Sequence, residues 1–194
     1  MEKLNREDLY TLEKYAEVRK DFRARVMKHK KARRLAIGPN ATLYFEDRLT
    51  IRYQIQEMLR VERIFETAGI QEELDAYNPL IPDGLNWKAT FMVEFEDAGE
   101  RHRQLAKLVG IESSIWLKVN DNAPITPVCD EDMDRQTGDK TSSVHFLRFE
   151  LTEDDVKALR EGAPIEAGIN HEHYHYTVSP IPAEIRDSLL NDLD

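Results

Sequence analysis

The chain has 194 residues, 41 % hydrophobic and 33 % charged, which is enough for one sizeable domain with a full core and cramped for two. A formal charge of −10 argues against general nucleic-acid affinity, and the single cysteine, Cys129, excludes an internal disulfide or a thiolate-rich zinc or iron–sulfur site within one chain. The N-terminus, MEKLNREDLY, is too charged for a secretory signal, and no apolar run approaches the roughly 20 residues that span a bilayer, so a soluble cytoplasmic protein is expected.

From about Glu7 to Arg34, Leu9, Leu12, Tyr15, Val18, Phe22 and Val26 recur at spacings of three and four, predicting a long, basic N-terminal helix within residues 1–34. Lys14 to Arg34 holds ten Lys or Arg against Glu17 and Asp21, net +8 there and −18 elsewhere. Cations in the last turns suit the helix dipole, so a solvated or partner-facing helix is the plain reading. Phosphate or RNA contact is the alternative, although no RNA-recognition or helix-turn-helix signature accompanies it. RRLAIGPNATLYFEDR then reads as two short strands, or a strand-like loop, about a Gly38-Pro39-Asn40 turn.

The stretch Thr50 to Gly69, TIRYQIQEMLRVERIFETAG, is a central amphipathic helix in which Ile51, Ile55, Met58, Val61, Phe65 and Ala68 make an apolar stripe opposite Arg52, Gln56, Arg60, Arg63 and Thr67. Thr50 serves as N-cap, and Gly69 stands where a C′ glycine ends a helix. Gln54, Glu57 and Glu62 break the stripe and need partners, either in a structural network or around a polar ligand or metal pocket.

After a brief helix, IQEELDAY, and a Pro-rich turn, Trp87, Ala89, Phe91, Val93 and Phe95 alternate along a half-buried strand. Ala98 to Val109 reads as a helix stopped by Gly110, and SIWLKVN as a further strand. Residues 120–141 form an acidic irregular loop. Asp130, Asp132 and Asp134 match the first alternating ligands of a calcium loop, but Arg135 occupies its glycine position and Thr141 its glutamate position, so a solvated or partner-facing loop is expected. KTSSVHFLRFEL is a strand with His145, Leu147, Phe149 and Leu151 on one face, and Thr152 caps the helix that follows. Along PIEAGINHEHYHYTV, Ile165, Ala167, Ile169, His171, His173 and His175 fall on one face, before a last helix opened by Pro182. The class is α+β: a long N-terminal helix and the central helix packed on a mixed, mainly antiparallel sheet of the strands around Phe91, Leu117, Leu147 and Ala167.

No P-loop, GxGxxG, HExxH, Ser-His-Asp or Cys-His spacing appears, and Cys129 reads as an inert thiol. Were neighbouring strands to bring His145 and His171 to the central helix, they would meet Gln54 and Glu57 in a nitrogen and oxygen set suited to iron, zinc or manganese, with His173 and His175 as further candidates. A surface cluster or core-satisfied histidines are the alternative. A ligand pocket is sketched by Glu46, Arg48, Gln54, Glu57, Arg60, Glu62, Lys140 and Arg148, where internal ion pairing is the competing reading.

The segments RRLAIGPNATLYFEDRLTIRYQIQEMLRVERIF, IQEELDAYNPLIPDG and KTSSVHFLRF resemble the bacterial proteins grouped as DUF3501, through a core of the form FE-x-R-x-T-x-x-x-Q-x-QEMLR-x-ER. The pattern runs from Phe45 to Arg63. The family's C-terminal pattern, G-x-D-H-P-x-Y, is met by Gly168, His171 and Tyr174, with Asn170 in place of the Asp and Glu172 in place of the Pro. The resemblance implies a neighbourhood of rubrerythrin-like di-iron proteins and iron–sulfur oxidoreductases, and supplies no catalytic residue. Together these features lead to the expectation of a non-catalytic accessory or binding protein of an iron-linked redox or oxidative-stress system, working through a polar pocket around the central helix, with the basic helix as a further partner surface. A metal-dependent enzyme with a mononuclear His/carboxylate site is second, and RNA binding through the basic helix third.

Overall fold

The computed structural model describes residues 1–131 and 140–193, so Asp132, Asp134, Arg135 and Asp139 of the acidic loop lie outside it. After a single 3-10 turn, the chain runs α1 (Leu12–Lys31), β1 (Arg34–Ile37), β2 (Ala41–Phe45), α2 (Arg48–Val61), α3 (Thr67–Tyr77), β3 (Asn86–Val93), α4 (Ala98–Lys107), β4 (Ile115–Val119), β5 (Val128–Cys129), β6 (Val144–Glu150), α5 (Glu153–Arg160), β7 (Ile165–His171), β8 (Tyr174–Val178) and α6 (Ala183–Leu190). Among the described residues, no helix is long and apolar enough to cross a membrane.

The α+β class holds, but the strands divide between two sheets rather than forming one. β1-β2-β3-β6-β5 make the first sheet and β4-β7-β8 the second, every pairing antiparallel. Alternation reveals which face of a strand is buried but not which strand lies beside it, so Phe91 and Leu147 separate from Leu117 and Ala167 without any change in their own pattern. Inward residues of both sheets, among them Trp87, Phe91, Phe149, Leu117 and Ile169, share one core closed by Leu105 of α4, Leu159 of α5 and Leu189 of α6. Burial of this contiguous apolar surface is the main driving term of the fold.

α1, α2 and α3 build two smaller cores of their own. Ile51, Ile55 and Leu59 meet Leu4, Leu74 and Ile81, while Tyr53 meets Tyr15, Phe22 and Val26. Gripped from two sides, α2 buries two faces, which a single-stripe wheel does not anticipate. Its ends shift as well. Asp47, not Thr50, is the N-cap, and Thr50 is the third helical residue of a reciprocal capping box. Gly69 lies inside α3; the stop comes from Arg63, which takes a left-handed φ of 55° so that the Ile64 N–H reaches the Leu59 carbonyl at 2.9 Å. Met58 is therefore only half-buried, Val61 is 62 % exposed, and Phe65 projects beyond the helix with 71 % exposure.

Candidate functional site

The polar residues of α2 face three different neighbours. Glu57 lies in the seam with α1, where Arg19 donates to both of its oxygens at 2.8 Å and the Tyr15 hydroxyl donates at 2.5 Å. That bidentate bond holds the Glu57 carboxyl below its ordinary range, against the opposing effect of burial. The amide deep in the core is Gln56 rather than Gln54. Gln56 is fully buried, accepting from the Tyr10 N–H at 2.6 Å and donating to the Tyr10 carbonyl at 3.3 Å, whereas Gln54 is half-buried. Arg48 pairs with Asp8 at 2.6 Å, and Arg60 and Glu62 are exposed. Glu46 bridges layers, accepting from Thr90 of β3 at 2.8 Å and Thr50 of α2 at 2.6 Å.

These bonds are internal, so Glu57→Met and Gln56→Leu should each lower the unfolding free energy by about 1–3 kcal/mol, as the buried Tyr15 hydroxyl and the Tyr10 backbone groups are left unpaired. Urea denaturation beside the parent measures it. Unchanged or raised stability in both would return these side chains to a ligand pocket.

Immediately before α2 stands an ionic knot that the sequence pattern did not single out as a unit. Arg33, 2 % exposed, donates through Nε to the Phe45 carbonyl at 3.0 Å, through Nη2 to the Glu46 carbonyl at 3.0 Å, and in a fork to the carboxylate of Asp192. Its Nε also lies 3.3 Å from Asp47 Oδ2, the same oxygen that meets His29 Nε2 at 2.5 Å. Burial opposes ionisation of Asp47, but the Arg33 charge, the Thr50 N–H and His29 hold its carboxyl below the ordinary value. Asp192 behaves in the opposite way: burial outweighs Arg33 and pushes it up to about 6. The D-x-x-T spacing of Asp47 and Thr50 was a readable capping signal; nothing local pairs Arg33 with a residue near the other end of the chain.

A second buried cluster surrounds His145, which has no exposed surface. Its Nδ1–H donates to Asp130 at 2.6 Å, and its Nε2 faces the Thr141 hydroxyl at 2.9 Å, the Ser142 carbonyl at 3.1 Å and Glu112 at 3.7 Å. Asp130 takes a left-handed φ of 48° and also accepts from the Phe146 N–H at 2.9 Å, fastening β5 to β6. Burial pushes the neighbouring Cys129 thiol up to about 11, which fits an inert sulfur. Nearby, Arg148 grips both Glu131 oxygens at 2.8 Å, and Lys140 is exposed at the loop's far edge.

The sketched metal set does not converge. Glu57 is held by α1, His145 by the Asp130 cluster, and His171 by the Val109 carbonyl at 3.0 Å and the His173 N–H at 3.1 Å. A turn between His171 and Tyr174 reverses the strand, so His173 sits in that turn and His175 on β8. Among the described residues, no group of three or more His, Cys, Asp and Glu side chains could hold a metal ion.

The C-terminal family pattern instead describes how a hairpin is seated. The Tyr174 hydroxyl accepts from the Asn40 and Ala41 N–H groups at 3.0 Å and donates to the Ile37 carbonyl at 2.8 Å. Gly168 has Trp116 so close that a Cβ there would lie 2.4 Å from the indole.

What remains open to solvent is the outward face of α1. From Arg23 to Arg34 there are seven Lys or Arg and no carboxylate. Arg23, Lys28 and Lys31 are exposed and, among the described residues, have no ion-pair partner, while Arg25 and Arg34 rest over Phe22 and Tyr44, each 5.8 Å from the ring centre.

The family model for DUF3501, "Protein of unknown function", matches residues 3–193. The chain is similar, at 50 % identity over 100 % of both chains and with a TM-score of 0.95, to a crystal structure of a novel protein of unknown function from Burkholderia pseudomallei K96243. No curated protein matches. With nearly its whole length covered by that pattern, the chain belongs to the DUF3501 family.

Proposed function

We propose that this protein is a non-catalytic accessory protein of an iron-linked redox or oxidative-stress system, and that it binds an acidic partner protein through the outward face of α1. The observation that carries the reading is the run of exposed, unpaired cations Arg23, Lys28 and Lys31 on a chain whose net charge is otherwise strongly negative. The candidate metal ligands Glu57 and His145 are engaged in internal bonds, which favours a binding role over metal chemistry. The redox setting rests on the family resemblance. Rubrerythrin-like or iron–sulfur proteins are the partners to test.

Titration calorimetry against such a partner should show saturable binding that weakens with salt and falls at least about ten-fold in the Arg23→Glu, Lys28→Glu, Lys31→Glu variant. Absence of binding at low salt overturns the reading. A metal-dependent enzyme is the second reading; it rests on the histidine and carboxylate pattern of the sequence, because the described residues bring together no group of three such side chains able to hold a metal ion. Stoichiometric iron, zinc or manganese in untagged protein, lost in His145→Ala, would install it instead. RNA retained on the protein at low salt and released steeply as salt rises would favour the third reading.

A further inference from the structure

We infer that the surface around Phe65 is where two copies of this chain meet. The described residues include five exposed large apolar side chains, and the two most exposed, Val61 at 62 % and Phe65 at 71 %, lie four residues apart. Beside them opens a hollow of about 280 Å³ whose apolar lining includes Leu9, Leu12, Leu59, Ile64 and Ile70. The left-handed Arg63 produces the contrast: it turns the chain so that Ile64 packs inward while Phe65 points out. A protruding aromatic ring next to an apolar hollow on the same face is self-complementary, which is what a two-fold interface requires. Phe65 of each copy would enter the hollow of the other.

Charge selects a second copy over other occupants. The exposed charged residues that line the hollow or flank Val61 and Phe65 in the chain are Arg6, Arg60 and Arg63 against Glu13, Glu62 and Glu66, three of each sign, and among the described residues none of them forms an ion pair. Two chains of net charge −10 repel through most of their surfaces, but here each can set its cations against the other's carboxylates. A strongly acidic or basic partner would meet as many like charges as opposite ones. The interface is apolar at its centre and polar at its rim, and it is distinct from the cationic face of α1.

Sedimentation equilibrium from micromolar to millimolar protein should show a monomer–dimer equilibrium that survives high salt. Phe65→Asp and, separately, Val61→Asp should each weaken it at least about ten-fold, with Phe65→Asp the larger effect and the unfolding transition unchanged, since both side chains are mostly exposed. Independently of those variants, Cys129→Ser, Glu66→Cys protein, which keeps Phe65, should form an intermolecular disulfide under mild oxidation, because an exposed residue beside a two-fold axis lies near its own copy. A monomer at every concentration overturns the inference. So does a dimer indifferent to both Asp variants, or one that dissociates as salt rises, which would assign association to α1.

Discussion

Arg33→Met is expected to destabilise the fold by about 3–5 kcal/mol at neutral pH, because it leaves Asp47 and Asp192 facing one another in a buried site without their shared cation. Asp192→Asn should behave differently. It keeps an oxygen for the guanidinium, and Asp47 stays 3.3 Å away as counter-charge. The folded carboxyl of Asp192 is raised from an ordinary value near 3.8 to about 6, so its contribution to stability is complete below pH 3.8 and lost as pH rises through 6. Over that window the parent should lose roughly 2–3 kcal/mol relative to Asp192→Asn. For the same reason the penalty of Arg33→Met should be smaller at pH 4 than at pH 8, where a charged Asp192 has no partner. Guanidinium unfolding of the three proteins at pH 4, 6 and 8 tests both halves. An Arg33→Met variant within about 1 kcal/mol of the parent at pH 8 would show that the knot contributes nothing net.

His145→Leu should cost about 2–4 kcal/mol, since leucine fills much of the volume but takes away the imidazole that lies between Asp130 and Glu112. The loss has a local signature. β5 has two residues and is fastened to β6 partly through Asp130, so loosening that side chain should free Cys129. In the parent, a thiol with its pKa near 11 rather than 9 is about a hundred-fold less ionised at pH 8 and should label slowly with a disulfide reagent. In His145→Leu the labelling should accelerate on the order of ten-fold, through local opening rather than global unfolding. Equal rates in the two proteins would mean that His145 does not hold β5 in place.

Particular residues show what a sequence can and cannot disclose here. Trp87, Ala89, Phe91 and Val93 announced their buried face through alternation, and all four are buried on it. Thr152 announced α5 through a local cap, because capping is decided within four residues. The two-sheet division was not legible, since strand partners are chosen across long separations by packing that no window contains. Gln56 was assigned to the polar face of α2 because a wheel assumes one buried side, and Tyr10 approaches from the other. His171, His173 and His175 looked like one row until the turn between His171 and Tyr174 reversed the strand. The partners of Arg33 and His145 were not legible, because Arg33–Asp192 and His145–Glu112 are facts of topology.

The ties of Arg33 to Asp192 and of the β1–β2 turn to Tyr174 also set a timetable for the growing chain. They join residues 159 and 134 positions apart, respectively. At ribosomal speeds of about 5–20 residues per second, on the order of ten seconds separate the emergence of Arg33 from that of its counter-charge. During that interval the first hairpin and the start of α2 carry a cation meant for burial, and backbone N–H groups of the turn still lack the tyrosine hydroxyl. The N-terminal third can collapse early, but it cannot lock. Its last fastening comes from Tyr174 and Asp192, so their emergence, rather than that of α1 and α2, is the event that commits these residues to their native arrangement.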